Sequence, residues 1–303
     1  MMQHPVIDLR SSREGRRVLL GSLHLPAKDW NDRSLELPPR NHKFSIFYSS
    51  DDLESTTCAS MVKERFGADV NSVFDVNNES AFWEKVPSDL ICIGGAPGSD
   101  VELKIATYEK RLWQPSSFIY VFLDSLNEWR EKLKWSSTSN LRILDAGSGT
   151  GRNAVFIAQS LQSSHITAID NRRSMIEKAE KFIRRNKVDN QITCKIADID
   201  DFIRSSSDVE EDLFDVAIFM RFVHKKALSR IRRIMKPTGI IIVEAFHISS
   251  MHPSDEDQKI KEGEVQALLK NQSGQDVTLL IEKVLEIEDK RPVVCVVCSL
   301  NTC

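Results

Sequence analysis

Three glycines at alternate positions, straight after a short apolar run, constrain this chain more than any other feature. Residues 141–158 read Leu-Arg-Ile-Leu-Asp-Ala-Gly-Ser-Gly-Thr-Gly-Arg-Asn-Ala-Val-Phe-Ile-Ala. The apolar pair Ile143 and Leu144 ends at Asp145. Gly147, Gly149 and Gly151 follow, and apolar residues then recur at 154, 157, 158 and 161 with helical period. Strand, tight glycine turn and helix in that order predict the ligand edge of a doubly wound α/β sheet. Without a Cβ, the glycines let the backbone approach a ligand closely, and the helix N-terminus behind them favours a negative group.

The spacing narrows the ligand. A dinucleotide fingerprint is G-x-G-x-x-G, and here the third glycine comes one residue early. The acid two positions before the first glycine is also no requirement of such sites. D-x-G-x-G-x-G resembles the class I S-adenosylmethionine-dependent methyltransferases, so S-adenosyl-L-methionine is the implied cofactor. The resemblance places the turn from Gly147 through Gly149 to Gly151 under the methionine end of that cofactor, with Asp145 at its amino end and Asn153 in the same set. Residues 165–170 form the next strand and end in Asp170, about 20 residues past the glycines, the offset of a ribose-binding carboxylate. The competing role for Asp170 is to cap a helix over 172–186. After a third strand at 191–197, Asp198 and Ile199 match the acid and apolar residue that hold adenine in the resembled family.

The fourth strand, 214–219, runs into Met220-Arg-Phe-Val-His224. Methyltransferases acting on base amino groups carry Asn- or Asp-Pro-Pro-aromatic there, so nucleobase N-methylation is disfavoured. A helix over 227–235, a Lys-Pro-Thr-Gly stop at 236–239 and a fifth strand at 240–246 follow. Arg221, His224 and Glu244 end strands four and five, with His247 just beyond, and are the candidate catalytic residues. His224 can titrate near neutrality and take a proton from a thiol or hydroxyl, Arg221 can orient an anionic acceptor, and Glu244 can position either. An Arg221–Glu244 ion pair bracing adjacent strands is the equal alternative. Lys225, Lys226, Arg230, Arg232, Arg233 and Lys236 read as a solvated helix face before they read as an RNA contact. Strands near the C-terminus, the last carrying Cys295-Val-Val-Cys298, close the sheet in antiparallel fashion. Residues three apart in a strand face opposite ways, which argues against a shared metal or a disulfide there.

The first hundred residues alternate strand and helix: strands at 6–10, 18–26, 43–48, 71–75 and 90–93, a helix at 56–66 and a short one around 81–83. That order implies a mainly parallel sheet. "V-I-D-L-R", then "G-S-L-H-L-P", then strand, loop and helix resemble a rhodanese-like domain. Where active rhodaneses begin the loop with a cysteine, residues 49–55 are Ser-Ser-Asp-Asp-Leu-Glu-Ser. The thiolate nucleophile is missing, and three carboxylates would repel an anionic sulfur donor. Cys58, inside the helix, reads as a small buried thiol. The resemblance implies a sulfurtransferase relic kept for packing, partner binding or substrate gating.

The breaker cluster at 94–100 marks a boundary, giving a rhodanese-like domain over 1–100, a linker with N-terminal helices over 101–135, and a methyltransferase domain over 136–303. Helices are expected at 101–113 and 116–134. The second carries an apolar stripe of Phe118, Val121, Phe122, Leu126, Trp129 and Leu133, with Ser116 or Ser117 as its cap. The expected fold class is α/β: a rhodanese-like domain, then a Rossmann-like, doubly wound methyltransferase domain with an antiparallel C-terminal strand. "G-T-G-R-N-A-V-F-I-A", "R-F-V-H", "K-P-T-G" before "V-E-A-F-H", and "K-E-G-E-V" resemble tellurite-resistance-type methyltransferases. The tandem, joined through "R-L-W-Q-P", is similar to a rhodanese–methyltransferase fusion family.

At 303 residues, 41% hydrophobic and 28% charged, the chain has the material for packed cores. A net charge of -3 argues against nucleic-acid binding by bulk electrostatics. Six scattered cysteines fit a reducing compartment, no apolar run approaches the roughly 18 residues of a membrane span, and a cytoplasmic protein is the expectation. The favoured function is methyl transfer to a small-molecule nucleophile. The alternatives are RNA or protein methylation, and a non-catalytic module in which the acidic loop recruits a protein partner and the cofactor site is vestigial.

Overall fold

A computed structural model describes residues 4–39, 42–77, 83, 84, 86–96, 99–101, 111–135, 140–206, 209, 212–270, 276–287 and 289–300. The chain divides into two units, Met1–Gln114 and Pro115–Cys303. Most of the helix expected at 101–113, residues 102–110, and part of the one around 81–83 lie outside the described residues, while 111–113 are not helical.

In the first unit, β1 (Val6–Asp8), β3 (Leu23–His24), β4 (Phe44–Tyr48) and β5 (Val70–Asp75) form a parallel sheet in the order β3-β1-β4-β5. The single strand expected at 18–26 is two strands in different sheets. The chain turns at Gly21, whose φ of 86° suits a residue without a Cβ. β2 (Arg17–Leu19) lies before that turn and pairs antiparallel with β6 (Ile91–Ile93), whereas β3 lies after it. Helix α1 (Leu53–Phe66) starts three residues earlier than the periodicity indicates, because Asp52 caps it by accepting from the Ser55 amide at 3.1 Å. Cys58, Ala59 and Val62 pack inward with Ile7, Leu25, Trp30 and Ile46, while Met61 is exposed.

The second unit is built on an eight-stranded sheet. It contains β7 (Leu141–Ala146), β8 (Ser164–Asp170), β9 (Ile192–Ile196), β10 (Phe214–Met220), β11 (Met235–His247), β12 (Lys259–Ile260), β13 (Val277–Glu286) and β14 (Pro292–Leu300). The order is β13-β14-β11-β10-β7-β8-β9, with β12 added parallel to β11. β7 to β11 run parallel, and β14 lies antiparallel to both β11 and β13. Helices α2 (Ser117–Lys132), α3 (Arg152–Ser160), α4 (Arg173–Arg185), α5 (Ile199–Ser205), α6 (Lys225–Arg230) and α7 (Glu264–Lys270) connect or flank the strands. β10 is buried at all seven positions, including Asp215, whose carboxylate accepts from the Arg142 amide and Lys236 Nζ, both at 2.9 Å.

Residues 236–239 do not stop a helix. α6 ends at Arg230, a short 3-10 turn covers Ile231–Ile234, and Met235 already pairs with Phe214 of β10. The Pro-Gly pair instead sits where that ladder shifts register, and Trp135 Nε1 donates to the Thr238 carbonyl at 3.1 Å. On α2, Ser116 is the cap and Ile119 is buried, while Val121 is exposed. Cys295 and Cys298 are free buried thiols on β14, each pushed up to about 12, chiefly by burial. The chain leaves β7 to fill one side of the sheet through β8 and β9 and the other through β10 and β11. A crevice at the carboxyl ends of β7 and β10 follows from that reversal.

Candidate active site

A cavity of about 830 Å³ opens at those carboxyl ends. One side carries Gly147, Ile169, Asp170, Asn171, Ala197, Asp198 and Ile199; the other carries Arg221, Phe222, His224, Lys226 and Phe246, with Asp255, Asp257 and Gln258 also on its lining. Six sequence-predicted site residues therefore meet here: Gly147, Asp170, Asp198, Ile199, Arg221 and His224. Asp145, Gly149, Gly151, Asn153 and Glu244 are not on the lining, and each has a defined place around it.

The turn follows from its glycines. Gly147, Gly149 and Gly151 have φ of 68°, 54° and 76°, the left-handed region that L side chains rarely adopt. A Cβ on Gly147 would fall 2.4 Å from Phe222 Cγ, so that glycine lets the Phe222 ring lie against the turn. The Gly149 amide donates to Asp170 Oδ2 at 3.0 Å, and the Arg172 amide and Nε donate to Oδ1 at 2.9 and 3.2 Å. The expectation of Asp170 as a helix cap is not met. α4 starts at Arg173, its N-cap is Arg172, and no side chain caps it. Asp170 holds the turn to the end of β8 while its carboxylate faces the cavity.

Asp145 lies beneath the turn, 1% exposed. Burial, reinforced by the neighbouring Asp170 charge, raises its carboxyl to about 7. Its Oδ2 has no hydrogen-bond partner, and the buried Ser148 Oγ has none either. Unsatisfied polar atoms under a glycine turn suit a ligand bearing a cationic donor, and the ammonium group of S-adenosylmethionine is one. Asn153 Oδ1 accepts the Ser116 amide at 2.9 Å and so ties the start of α2 to α3. Asp198 caps α5, with Oδ1 accepting from the Asp200 and Asp201 amides at 2.8 and 3.2 Å; Ile199, next to it, is buried.

At the other end, Arg221 Nε donates to Glu244 Oε1 at 3.1 Å, and the Arg221 amide donates to the Glu244 carbonyl at 2.6 Å. Glu244 is fully buried, and its Oε2 accepts from Ser116 Oγ. Of the two readings of this pair, the ion pair between adjacent strands is the observed one, and Glu244 is committed to it. Arg221 has a φ of 54°, a strained conformation that turns the chain out of β10 at the cavity.

His224 caps α6, its Nδ1 accepting the Ala227 amide at 3.1 Å. An accepting Nδ1 puts the proton of the neutral ring on Nε2, a tautomer assigned from the hydrogen bond. In that tautomer Nε2 carries the proton and is a donor. His247 is likewise engaged, with Ser249 at 2.6 Å and Glu262 at 3.0 Å.

Three of the six residues in the basic run form ion pairs inside the unit. Lys225 pairs with Glu264 at 2.8 Å, Arg230 with Asp200 at 2.8 Å, and Lys236 with Asp215 at 2.9 Å. Arg232 donates to the Leu269 and Asp276 carbonyls at 3.1 and 3.0 Å. Ser116, Phe222 and Asp257 were missed as site residues by sequence reasoning. Ser116 signalled only a helix cap, Phe222 only apolarity, and Asp257 nothing. No helix among the described residues is long and apolar enough to cross a membrane.

Residues 137–287, about half of the chain, match a family described as Methyltransferase domain. An uncharacterized protein of Schizosaccharomyces pombe, UNK4.09, is 20% identical over 90% of this chain and 86% of its own length. The release factor glutamine methyltransferase of Flavobacterium psychrophilum is 32% identical over 35% of this chain and 37% of its own. Among solved structures, the plantazolicin methyltransferase BamL, in complex with a triazolic desmethylPZN analog and SAH, shares 11% identity at a TM-score of 0.47. That likeness covers 62% of this chain and 86% of BamL. The chain thus carries a methyltransferase domain, and its second unit has a mixed α/β architecture.

Proposed function

We propose that this protein transfers a methyl group from S-adenosylmethionine to a nucleophilic atom of a small molecule. The observation that carries the reading is the single cavity joining Asp170, Asp198 and the glycine turn to Arg221 and His224. In this reading Asp170 accepts the ribose hydroxyls, Ile199 lies against the adenine with Asp198 at its edge, and Asp145 faces the ammonium group. The bound cofactor supplies a methyl group on a sulfonium, which needs alignment with its attacker more than it needs acid catalysis. Phe222 packs against the turn and helps keep water from the reacting end. His224 donates through Nε2–H to the acceptor and orients it. Arg221, held by Glu244, which Ser116 holds in turn, sets the charge of the acceptor end.

The first unit is proposed to be a rhodanese-like domain without sulfurtransferase chemistry. RNA methylation is disfavoured because three cations of the basic run, Lys225, Arg230 and Lys236, are engaged in internal ion pairs. The glutamine-modifying activity named for the Flavobacterium protein is not carried over, because that match spans about a third of either chain. Radiolabelled cofactor incubated with fractionated cell extract tests the proposal. Label in a low-molecular-mass product is expected, whereas label confined to protein or RNA fractions overturns it.

A further inference from the structure

The first unit contains a pocket of about 260 Å³ lined by Arg10, Arg16, Arg17, Val76, Asn77 and Trp83. It lies where parallel strands deliver their carboxyl ends: Arg10 follows β1, Val76 and Asn77 follow β5, and Arg17 opens β2. Trp83 is buried and packs edge-on against Phe47 at 5.9 Å.

Three guanidinium groups around so small a space call for an anion, unless nearby carboxylates already neutralise them. No carboxylate lines the pocket, but Asp8 pairs with Arg10 behind it, which leaves Arg16 and Arg17 as the two lining guanidinium groups that call for an anion. Asp8 takes Arg10 Nε at 2.8 Å, Arg10 Nη2 at 2.7 Å and Arg13 Nε at 3.1 Å. Asp75 Oδ1 takes the Ser50 and Asn77 amides at 3.1 and 3.2 Å, and Asp52 caps α1. Asp51 Oδ2 takes Asn77 Nδ2 at 2.6 Å. Arg16 donates to Ser49 Oγ at 3.0 Å, and neither Arg16 nor Arg17 has an ion pair among the described residues.

The lining is also held in place before any ligand arrives. Arg16 and Asn77, the latter at 2.8 Å, both donate to the hydroxyl of the buried Ser49. Arg10, 1% exposed, is fixed by Asp8 and by the Arg17 carbonyl at 3.0 Å. Arg16, held by Ser49, and Arg17 beside it offer donors with no carboxylate of their own among the described residues, which suits an ion with several oxygens and about two negative charges better than a single carboxylate. The carboxylate-rich loop at 49–55, which the sequence presents as repelling anions, thus borders a cationic pocket.

We propose that this pocket binds phosphate, free or as a small monoester whose organic part lies against Val76 and Trp83. Calorimetry on the full chain, with inorganic phosphate and separately with phenyl phosphate, tests it. Saturable binding is expected, weakened at least about 30-fold by Arg16→Ala/Arg17→Ala, on the scale of lost charge-assisted contacts. Asn77→Asp, which places a carboxylate in the pocket, is expected to weaken it likewise and decides the question should the double variant fail to fold. Unchanged S-adenosylhomocysteine affinity reports that the variants are folded. Tighter phenyl phosphate binding identifies a monoester as the ligand, and equal binding identifies the free ion. No saturable binding of either probe, or binding that survives the substitutions, overturns the proposal.

Discussion

Asp145→Asn separates the stability and the binding roles of the cofactor edge. Burial places the Asp145 carboxyl at about 7, above its ordinary 3.8, so the folded state holds the proton more tightly than the unfolded chain does. A carboxyl raised in this direction stabilises the fold at acidic pH and loses that contribution as pH rises through its folded value. Between the two values each pH unit removes about 1.4 kcal/mol, so moving from about pH 5 to about pH 8 removes roughly 2.5 kcal/mol. Asparagine has nearly the same shape and never ionises, so this part of the pH dependence disappears. For a unit of this size the difference corresponds to about 5–10 °C in melting temperature. Thermal unfolding of the two proteins at both pH values should therefore show the wild type losing that much more than the variant on going to pH 8. Parallel pH profiles would refute the placement of an ionisable, unpartnered carboxyl under the turn.

The same residue makes a second measurement opposite in sign. If the cofactor's ammonium group sits at Asp145, binding requires the ionised carboxylate. S-adenosylhomocysteine affinity in the wild type should then fall about tenfold per pH unit below 7. Asp145→Asn should bind weakly and without that dependence. A variant made more stable at pH 8 and less able to bind is the expected pair of results. Equal affinity at pH 8 would move the ammonium group away from this residue.

Asp170→Ala should weaken S-adenosylhomocysteine by roughly 1.5–3 kcal/mol in calorimetry, through loss of charge-assisted bonds and of the Gly149 tether. Gly147→Val should lower stability by about 2–4 kcal/mol, since its Cβ meets Phe222 and its φ is left-handed; a melting temperature within a degree of wild type contradicts that packing. His224→Asn can keep the helix cap but loses the Nε2–H, so cofactor affinity and melting should hold while methyl transfer drops about 10-fold or more; unimpaired transfer would make His224 a cap alone. Thiosulfate and cyanide should yield no thiocyanate above a denatured control. Cys58, 6% exposed and raised to about 11 by burial, cannot present a thiolate near neutrality, and activity removed by Cys58→Ser would reverse that reading.

The glycine turn and the acid that holds it were legible in the sequence because their requirements are local. A left-handed backbone at three alternate positions nearly dictates glycine, and an acid at the end of β8 lies a fixed chain distance from the turn. Regular elements were legible where apolar periodicity was long. They were misread where a tertiary partner overrode a local signal. Gly21 ends β2 without ending the extended pattern, so the sequence cannot show that β2 and β3 belong to different sheets. Pro237 and Gly239 look like a helix stop, yet the register shift against β10 absorbs them into β11. Nothing within two or three residues of either position carries that information.

The acceptor end depends even more on distant pairing. Arg221 and His224 stand out as catalytic candidates because both are polar groups at the end of a parallel strand. Their roles are set by what they meet. Glu244 is 23 residues from Arg221 in sequence and is itself held by Ser116, another 128 residues away, which reads only as a helix cap. The Ala227 amide, three residues on, occupies Nδ1 of His224, a contact the sequence does not show. The basic stretch from Lys225 to Lys236 resembles a nucleic-acid face until Glu264, Asp200 and Asp215 are found opposite it. Charge in a sequence counts formal groups. What is left to attract a substrate is the part that folding has not already paired, and here Lys225, Arg230 and Lys236 are paired within the unit.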